Sequence, residues 1–414
     1  RERLCRGAHR DKERPILINN WEATYFDFNN EKIKEIAKES SKLGIELFVL
    51  DDGWFGERNN DDCSLGDWFV NEEKLKGGLN SLATDINKMG MQFGLWFEPE
   101  MISPKSKLYE EHPDWCIHID GRIRSEARKQ LILDLSRDEV CEAVIKMLTD
   151  VLKSAPISYV KWDMNRNMTE IGSTAWPAKK QKEIAHRYML GLYKILENIT
   201  SNFPNILFES CSGGGGRFDG GMLYYMPQTW TSDDTDAIER LMIQEGTSLV
   251  YPTSSMGSHV SAVPNHQVHR ITPLNTRGVV AMAGSFGYEL DVTKMNEEEK
   301  EEVKKQVEFY KNIRSTVQFG DLYRLKSSFD SNEAAWMNLS KDGKEVVVSY
   351  VKKYAEANVI PRRLKVKALD ENSLYEVIET GEVFGGDELM YIGLEIGELM
   401  GDYQAKNWTL RKVD

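Results

Sequence analysis

The sequence is poor in the features that would place it in several large classes of protein. It contains only five cysteines in 414 residues, and none of them forms a CxxC pair or a zinc-binding spacing. It has no run of about 18 apolar residues, so no segment is expected to cross a membrane. Basic residues number 53 against 66 acidic ones, and the net charge of −13 argues against nucleic acid or an anionic membrane as a partner. We expect a globular protein of a reducing compartment, the cytoplasm.

Three common kinds of enzyme site are also missing from the sequence. The seven histidines include one close pair, His266 and His269, which lacks the HExxH context of a zinc site. The glycines at 213–216 belong to no GxGxxG or GKS motif, and no serine lies in a GxSxG motif. We therefore expect neither a metal nor a cofactor, which leaves chemistry carried by carboxylates.

The first three quarters of the chain alternate between apolar runs typical of strands and amphipathic runs typical of helices. The strand-like runs cover residues 15–21, 45–54, 91–101, 130–136, 157–165, 206–216, 227–234 and 254–261. Eight such units predict a (β/α)8 TIM barrel. A doubly wound sheet would also alternate, but it usually has fewer units and a glycine-rich fingerprint after its first strand, where this chain has Asn19, Asn20 and Trp21.

The last quarter of the chain has the pattern of a different fold. Short β-type runs are separated by turn signals such as KDGK (341–344) and TGE (380–382), which predict a small antiparallel β-sandwich domain. The chain begins with Arg1 rather than Met in a polar segment, which indicates a piece of a longer protein. The expected organisation is a lead-in over 1–14, a barrel over 15–320 and a β domain over 321–414.

Polar residues collect where the strand-like runs end. In a barrel these carboxyl ends lie on one face, where barrel enzymes build their active sites. The residues at these positions are Trp21, Asp51, Asp52, Trp96, Glu98, Glu100, Asp134, Lys161, Asp163, Asn165, Cys211, Asp233 and Asp234. Paired carboxylates can hydrolyse a glycosidic bond, and tryptophan faces can stack on sugar rings. Spacing alone does not choose the two catalytic acids, whose candidates are Asp51, Asp52, Glu98, Glu100, Asp163, Asp233, Asp234 and Asp236.

Six segments resemble the catalytic and C-terminal portions of bacterial α-galactosidases of glycoside hydrolase family 36. They are WEATYFDF (21–28), LDDGWFG (50–56), GLWFEPEM (94–101), KWDMNR (161–166), CSGGGGR (211–217) and WTSDDTDAIERL (230–241). The combination of KWDMNR, a CxxGxGR pattern and SDDTD is specific, although none of the three is specific alone. The resemblance implies a retaining exo-α-galactosidase that acts on melibiose, raffinose and related α-1,6-galactosides.

The resemblance also implies roles for individual residues. Asp163 would be the nucleophile and Asp233 the general acid/base, with the adjacent Asp234 as the alternative for the second role. Asp51 and Asp52 would hold the O4 and O6 hydroxyls of galactose. The remaining contacts to the sugar would come from Trp21, Trp96, Arg128, Lys161, Trp162, Asn165, Cys211 and Gly214.

Two other functions stay open on the same residues. The first is a galactosyl transferase, in which an acceptor sugar replaces water. The second is a fragment that binds galactose without turning it over, although the presence of both Asp163 and Asp233 argues against a decayed site. Members of this family usually carry an N-terminal β-sandwich domain that is absent from this sequence, and a homo-oligomer of the longer form is also left open.

Overall fold

The structure is a computed structural model that describes residues 1–358 and 360–413. The strands of the first part are β1 (Leu17–Asn19), β2 (Leu47–Leu50), β3 (Gln92–Phe97), β4 (Met101–Ile102), β5 (Leu131–Ile132), β6 (Tyr159–Trp162), β7 (Leu207–Ser210), β8 (Gln228–Trp230), β9 (Met256–Ser261) and β10 (Ser285–Glu289). Those that follow are β11 (Asp321–Lys326), β12 (Glu333–Leu339), β13 (Glu345–Lys352), β14 (Arg363–Leu364), β15 (Leu374–Val377), β16 (Glu382–Gly385), β17 (Leu394–Glu395) and β18 (Gln404–Val413).

Helices follow most of the barrel strands. They are α1 (Trp21–Thr24), α2 (Asn30–Lys42), α3 (Gly78–Lys88), α4 (Lys107–Glu111), α5 (Asp138–Ser154), α6 (Ile184–Asn202), α7 (Gly220–Tyr225), α8 (Ala237–Ser248), α9 (Leu274–Ala281), α10 (Glu297–Phe319) and α11 (Gly386–Tyr391). Short 3-10 turns cover Ala178–Glu183, Thr253–Ser255 and Val292–Lys294. Within the described ranges, the search for a helix both long and apolar enough to cross a membrane finds none.

Eight parallel strands form a closed barrel in the spatial order β1-β10-β9-β8-β7-β6-β3-β2, which confirms the expected (β/α)8 fold. One of the predicted strands was wrong, because β5 pairs antiparallel with β4 and lies outside the barrel. The barrel strand that the sequence did not reveal is β10, whose sequence SFGYE is short and mixes a glycine with polar residues.

The inward face of the barrel strands carries apolar residues first and polar residues after them. Leu17, Leu47, Val49, Tyr159 and Leu207 pack together in one buried cluster. Successive side chains of a strand point to opposite faces, so residues two positions apart share a face. The residues two positions after four of these cluster members lie on the same face and are polar. They are Asn19, Asp51, Lys161 and Glu209.

The C-terminal strands form two antiparallel sheets, as the turn signals predicted. The larger sheet has the order β11-β12-β13-β18-β15-β16, and β14 pairs with β17 in a smaller one. Both sheets contribute to a single apolar core, in which Val348, Tyr375 and Trp408 pack with Leu364 and Leu394. The packing of the two sheets against one core agrees with the small β domain expected from the sequence.

The chain divides into two compact units. The first consists of Arg1–Arg10, Leu17–Trp230 and Leu290–Thr293, and the second consists of Asp11–Ile16, Thr231–Glu289 and Lys294–Asp414. Within the second unit, Leu241 of α8 and Val280 of α9 share a buried cluster with Ala334, Val351 and Ala405 of the C-terminal sheet. The domain limits at residues 14 and 320 stay a prediction.

Candidate active site

Asp51, which follows β2, holds a buried ion pair with Lys161 of β6. Lys161 Nζ lies 2.9 Å from Asp51 Oδ2, and Asn19 Nδ2 donates to the same oxygen at 2.6 Å. The backbone N–H of Asp52 donates to the other oxygen at 2.9 Å. Opposite charges that are buried together offset part of the desolvation that each would suffer alone. The pair therefore presents a fixed carboxylate and a fixed ammonium at the ends of two barrel strands.

Asp52 forms a separate buried ion pair with Arg58. Arg58 Nη2 lies 2.9 Å from Asp52 Oδ2 and Nε lies 3.1 Å from Oδ1, which is a two-pronged contact. Burial raises the pKa of Asp52 above its usual range, although the guanidinium of Arg58 opposes the shift. Arg58 is 1% exposed and also donates to the backbone carbonyls of Asp61 and Cys63. The loop after β2 is thus built around one buried arginine.

Asp163, which follows β6, has its carboxylate fixed by three donors. Trp96 Nε1 and Asn165 Nδ2 donate to Asp163 Oδ2 at 3.1 and 2.8 Å, and the N–H of Met164 donates to Oδ1 at 2.8 Å. Asn165 Oδ1 in turn accepts from the N–H of Gly213 at 3.1 Å. A buried carboxylate that is oriented in this way has the chemistry of a nucleophile. Trp96 and Asn165 therefore contact Asp163 directly, and Lys161 stands two residues before it in the chain. Their roles in a sugar site stay a prediction.

Trp162 lies apart from this group. It stands between Lys161 and Asp163 in the chain, so its side chain points to the other face of β6. Its Nε1 donates to Glu100 Oε1 at 2.9 Å, and Glu100 also accepts from the hydroxyl of Tyr188 at 2.6 Å. The predicted sugar contact through the Trp162 side chain stays a prediction, and the contacts shown here are structural ones.

Arg217 completes the network around Glu100. Its Nη1 lies 2.6 Å from the carboxylate of Glu100, which is fully buried. Burial disfavours the charge of Arg217, yet the facing carboxylate holds the pKa of its guanidinium above the usual value. Because Arg217 ends the CSGGGGR motif, this ion pair fixes the loop after β7 to the turn between β3 and β4, where Glu100 lies.

Replacing Glu100 with alanine is expected to lower the free energy of unfolding by about 3–5 kcal/mol, because the Arg217 charge would stay buried without its partner. Chemical denaturation measures the change. Glu142→Ala is the matched control, since Glu142 pairs with Lys194 at 3.6 Å on the surface, with 71% of its side chain exposed. Its expected effect is within about 1 kcal/mol. Equal effects of the two substitutions would contradict a structural role of the buried pair.

Two other predicted contacts of the first unit, Arg128 and Trp21, lie outside the barrel strands. Arg128 is exposed, and its Nη2 lies 3.8 Å from Asp61, which also faces Arg58 at 3.6 Å. Trp21 is half-buried at the start of α1, with its ring 5.2 Å from that of Phe26 in an edge-to-face contact. Arg128 is therefore linked through Asp61 to the arginine that holds Asp52.

Cys211 and Gly214 belong to the loop that follows β7. Cys211 is buried, and its N–H donates to the carbonyl of Trp162 at 2.7 Å. Gly214 has a φ of 84°, a conformation that favours glycine, and its carbonyl accepts from the N–H of Ser212 at 2.6 Å. This turn is what brings the N–H of Gly213 to Asn165.

In the second unit, Asp233 and Asp234 differ in their surroundings. Asp234 Oδ1 accepts from the N–H of Asp236 at 3.0 Å, and Asp236 caps the start of α8 and pairs with Arg270. Asp233 is exposed, and its backbone carbonyl accepts from Gln267 Nε2 at 3.2 Å. The Asp234 side chain is thus engaged in a turn. Which of the two acids is the acid/base stays a prediction.

Two further acids from the predicted strand ends are buried. Asp134 accepts from the N–H of Ser136 at 3.1 Å and from the hydroxyl of Ser173, and burial raises its pKa. Glu98 lies in the site itself, although the motifs assigned it no role.

In the residues that the structure describes, no group of three or more His, Cys, Asp or Glu side chains is arranged to hold a metal ion.

Two family models match the chain. The model named Melibiase matches residues 1–320. The model described as the glycosyl hydrolase family 36 C-terminal domain matches residues 333–410. Together the two matches take in the barrel strands and the C-terminal sheets apart from β11 and the last residues of β18.

Curated relatives match over the whole chain. Alpha-galactosidase AgaA of Geobacillus stearothermophilus is 63% identical over 413 residues, and Alpha-galactosidase Mel36A of Lactobacillus acidophilus is 52% identical over 413 residues. Each alignment covers 100% of this chain and 56% of the relative. The chain therefore spans little more than half the length of the curated relatives that it matches.

Solved structures agree with the fold. The crystal structure of the AgaA enzyme from Geobacillus stearothermophilus superposes with a TM-score of 0.98 at 63% identity, covering 99% of this chain and 57% of that one. Variants of the same enzyme in complex with raffinose and with stachyose superpose with a TM-score of 0.98 at 62% identity, with the same coverage.

Proposed function

The chain belongs to glycoside hydrolase family 36, as its motifs indicated, and from this premise we propose that it hydrolyses terminal α-1,6-linked galactose from raffinose-type oligosaccharides. Relatives named α-galactosidases support the reaction, and the complexes of a relative with raffinose and stachyose support the substrate class. The activity of this chain is a proposal because the chain covers only 56% of the length of each of these two relatives.

One observation carries the proposal. The carboxylate of Asp163 is buried and is oriented by Trp96 and Asn165. Asp163 directly follows the strand that carries Lys161, whose ammonium pairs with Asp51. A hydrolase that attacks a sugar through a carboxylate needs such a fixed nucleophile, together with polar groups that recognise the hydroxyls of one ring. Trp96 contacts Asp163 through its indole N–H, in addition to having an aromatic face that can stack on a sugar ring.

The proposed reaction proceeds in two displacements. In the first, an oxygen of Asp163 bonds to the anomeric carbon while the bond to the leaving oxygen breaks, and Asp233 gives that oxygen its proton. In the second, Asp233 takes a proton from water, whose oxygen bonds to the anomeric carbon and releases Asp163. Galactose is therefore expected to leave with its original α configuration.

Hydrolysis of an aryl α-galactoside tests the proposal, with the aryl α-glucoside and aryl β-galactoside as controls. NMR spectroscopy of the first turnovers identifies the anomer that is released. Selective turnover of the α-galactoside with α-galactose as first product would support the proposal. A β-galactose product would contradict the covalent route, and binding of galactose without turnover would support a binding fragment instead. Accumulation of galactosylated acceptors in place of free galactose would favour a transferase.

Asp51→Asn is expected to weaken recognition of galactose more than it impairs the fold. The substitution removes the charge that pairs with Lys161 and weakens an acceptor for substrate hydroxyls, and it should lower the preference for α-galactosides over α-glucosides by about tenfold or more. The ratio of kcat/KM values for the two aryl glycosides measures this preference. Asp85→Asn, in a half-exposed pair with Lys34 at 2.7 Å, is the control. An unchanged ratio in Asp51→Asn would refute the recognition role.

A further inference from the structure

Four charged side chains of the first unit form a row in which the sign of the charge alternates. Arg58 Nη2 lies 2.9 Å from Asp52 Oδ2 and 3.6 Å from Asp61 Oδ1, and Arg128 Nη2 lies 3.8 Å from that same Asp61 oxygen. The row runs outward, because the side chains of Asp52 and Arg58 are 7% and 1% exposed, whereas those of Asp61 and Arg128 are 46% and 45% exposed. Its inner end is a carboxylate that is predicted to hold a galactose hydroxyl, and its outer end is an exposed guanidinium.

The Asp61 oxygen in the middle of this row is a buried acceptor. Asp61 Oδ1 has no hydrogen-bond partner within residues 1–358 and 360–413, and both guanidinium nitrogens lie just beyond hydrogen-bond distance from it. Buried acceptors are nearly always satisfied, so a small movement of one arginine would complete a charge-assisted bond. Arg58 is fixed by its bonds to Asp52 and to the carbonyls of Asp61 and Cys63, so the exposed Arg128 is the arginine that can move.

The backbone of Arg128 adopts a conformation that long side chains rarely take. Arg128 and Lys129 have φ values of 53° and 57°, and the N–H of Gln130 donates to the carbonyl of Ala127 at 3.0 Å. A two-residue turn with two positive φ values usually carries Asn and Gly, which tolerate that conformation. Strained backbone of this kind persists where the surrounding structure holds it, and it collects at functional sites. The strain therefore indicates that the placement of the Arg128 side chain matters.

The base of the same turn is bonded to the candidate active site. Gln130 is fully buried, and its Nε2 donates to Glu98 Oε2 at 3.3 Å. Glu98 Oε1 accepts from the N–H of Asn165 at 2.5 Å, and the side chain of Asn165 donates to Asp163 at 2.8 Å. The turn is thus connected to the network of the proposed nucleophile through its base, and to the charged row through Arg128.

We propose that Asp61 is a positioning residue that holds the Arg128 guanidinium at the edge of the sugar site, where Arg128 donates to an oxygen of bound galactose. A guanidinium has five donors and no acceptor, so its partner on a neutral sugar is an oxygen atom. Without the Asp61 charge, Arg128 would lie on an exposed turn with more freedom to rotate, and binding would have to restrict that freedom. The inference rests on the proposed function, because it takes galactose as the ligand.

Asp61→Asn tests the proposal, because it removes the charge that faces Arg128 and keeps the shape of the side chain. Isothermal titration calorimetry is expected to give a Kd for galactose about three- to tenfold higher than that of the parent, a usual coupling between charged groups in contact. The KM for an aryl α-galactoside should rise by a similar factor, while kcat stays within about twofold, because the change touches neither proposed catalytic acid. Asp62→Asn is the matched control, since Asp62 is the next acid of the same loop and is exposed. It is expected to change Kd by less than about twofold.

The same substitution in a chain without the Arg128 charge shows which arginine Asp61 acts through. Arg128→Met keeps a long side chain and removes the guanidinium, and adding Asp61→Asn to it is expected to leave Kd unchanged. An equal increase in Kd with and without Arg128 would overturn the proposal, because Asp61 would then act through Arg58 or through the fold. An Asp61→Asn chain that binds galactose as tightly as the parent would overturn it as well.

Asp61→Glu keeps the test available should Asp61→Asn fail to fold. It retains the charge and moves the carboxylate by one methylene, and its Kd for galactose is expected to rise only where Arg128 is present. The same rise in the Arg128→Met background, or no rise in either background, would overturn the proposal.

Binding and turnover together separate this inference from the proposed function. A parent chain that binds galactose without turning over the aryl α-galactoside would contradict the proposed hydrolysis, and the Kd values of the variants would still decide the role of Asp61. Normal turnover with an unchanged Kd in Asp61→Asn would contradict the positioning role alone. A parent chain that binds no galactose would contradict both.

Discussion

Replacing Asp163 with glycine is expected to lower kcat for every α-galactoside by roughly 10⁴- to 10⁶-fold, the scale of loss when a hydrolase loses its nucleophile. The reason is chemical, since without the carboxylate no covalent galactosyl intermediate can form. The substitution also frees the N–H groups of Trp96, Met164 and Asn165, which small molecules can reoccupy. Circular dichroism and a thermal melt establish that the variant is folded, and steady-state kinetics measures the loss.

Azide makes this prediction specific to a nucleophile. A small anion that fits the space left by the Asp163 carboxylate can attack the anomeric carbon from the same side and form β-galactosyl azide, provided that the aryl leaving group departs without help. We expect that product, identified by NMR, only with Asp163→Gly. The parent and Asp51→Asn should form none, because both keep the Asp163 carboxylate in the space that azide would need. Substantial hydrolysis by Asp163→Gly without azide would refute the assignment.

The location of the acids could be predicted from the sequence because the barrel obeys a simple rule. Apolar runs end in polar residues, and the carboxyl ends of parallel strands meet on one face. Alternation within a strand then places Lys161 and Asp163 on the same face and Trp162 on the other. Strand alternation in the KWD motif is therefore enough by itself to separate the Trp162 side chain from the face that carries Asp163.

Pairing across strands could not be predicted in the same way. Nothing in the spacing of LDDGW indicates that Asp51 takes Lys161 while Asp52 takes Arg58, since Arg58 reaches back from a loop of irregular backbone. Strand pairing was equally hidden for β5, whose apolar run resembles a barrel strand although it pairs with β4. The barrel strand β10 was missed because its sequence is too polar to be recognised as a buried strand. Long-range pairing decides these features, and local composition does not encode it.

Glu98 illustrates the same limit within the site. The sequence places it two residues after Trp96, so its position at a strand end follows from the apolar run. Its burial, its bond to the N–H of Asn165 and the unmatched oxygen of Gln130 depend on three separate loops. The surroundings of this carboxyl therefore follow from the way the three loops meet, which no single motif encodes.

Asp233→Ala is expected to separate substrates by their leaving groups. Loss of a general acid should lower kcat/KM for raffinose by about 10²- to 10⁴-fold, because its sugar leaving group departs poorly without a proton. An aryl galactoside with a strongly acidic phenol departs without help and should lose less than about tenfold in kcat/KM. Kinetics on the two substrates, made with the same enzyme preparation, gives the ratio directly. A uniform loss for both substrates would contradict the acid role.

Asp234→Ala is the decisive comparison, since Asp234 is the other acid that the SDD motif offers. Its Oδ1 accepts from the N–H of Asp236, which caps α8 and pairs with Arg270. Removing it should loosen the start of α8 and lower the melting temperature, with equal effects on raffinose and on the aryl galactoside. If the dependence on the leaving group followed Asp234→Ala instead, the acid/base role would move to Asp234. A carboxyl already committed to a turn is poorly placed to transfer a proton twice per cycle, and for that reason we expect the dependence to follow Asp233.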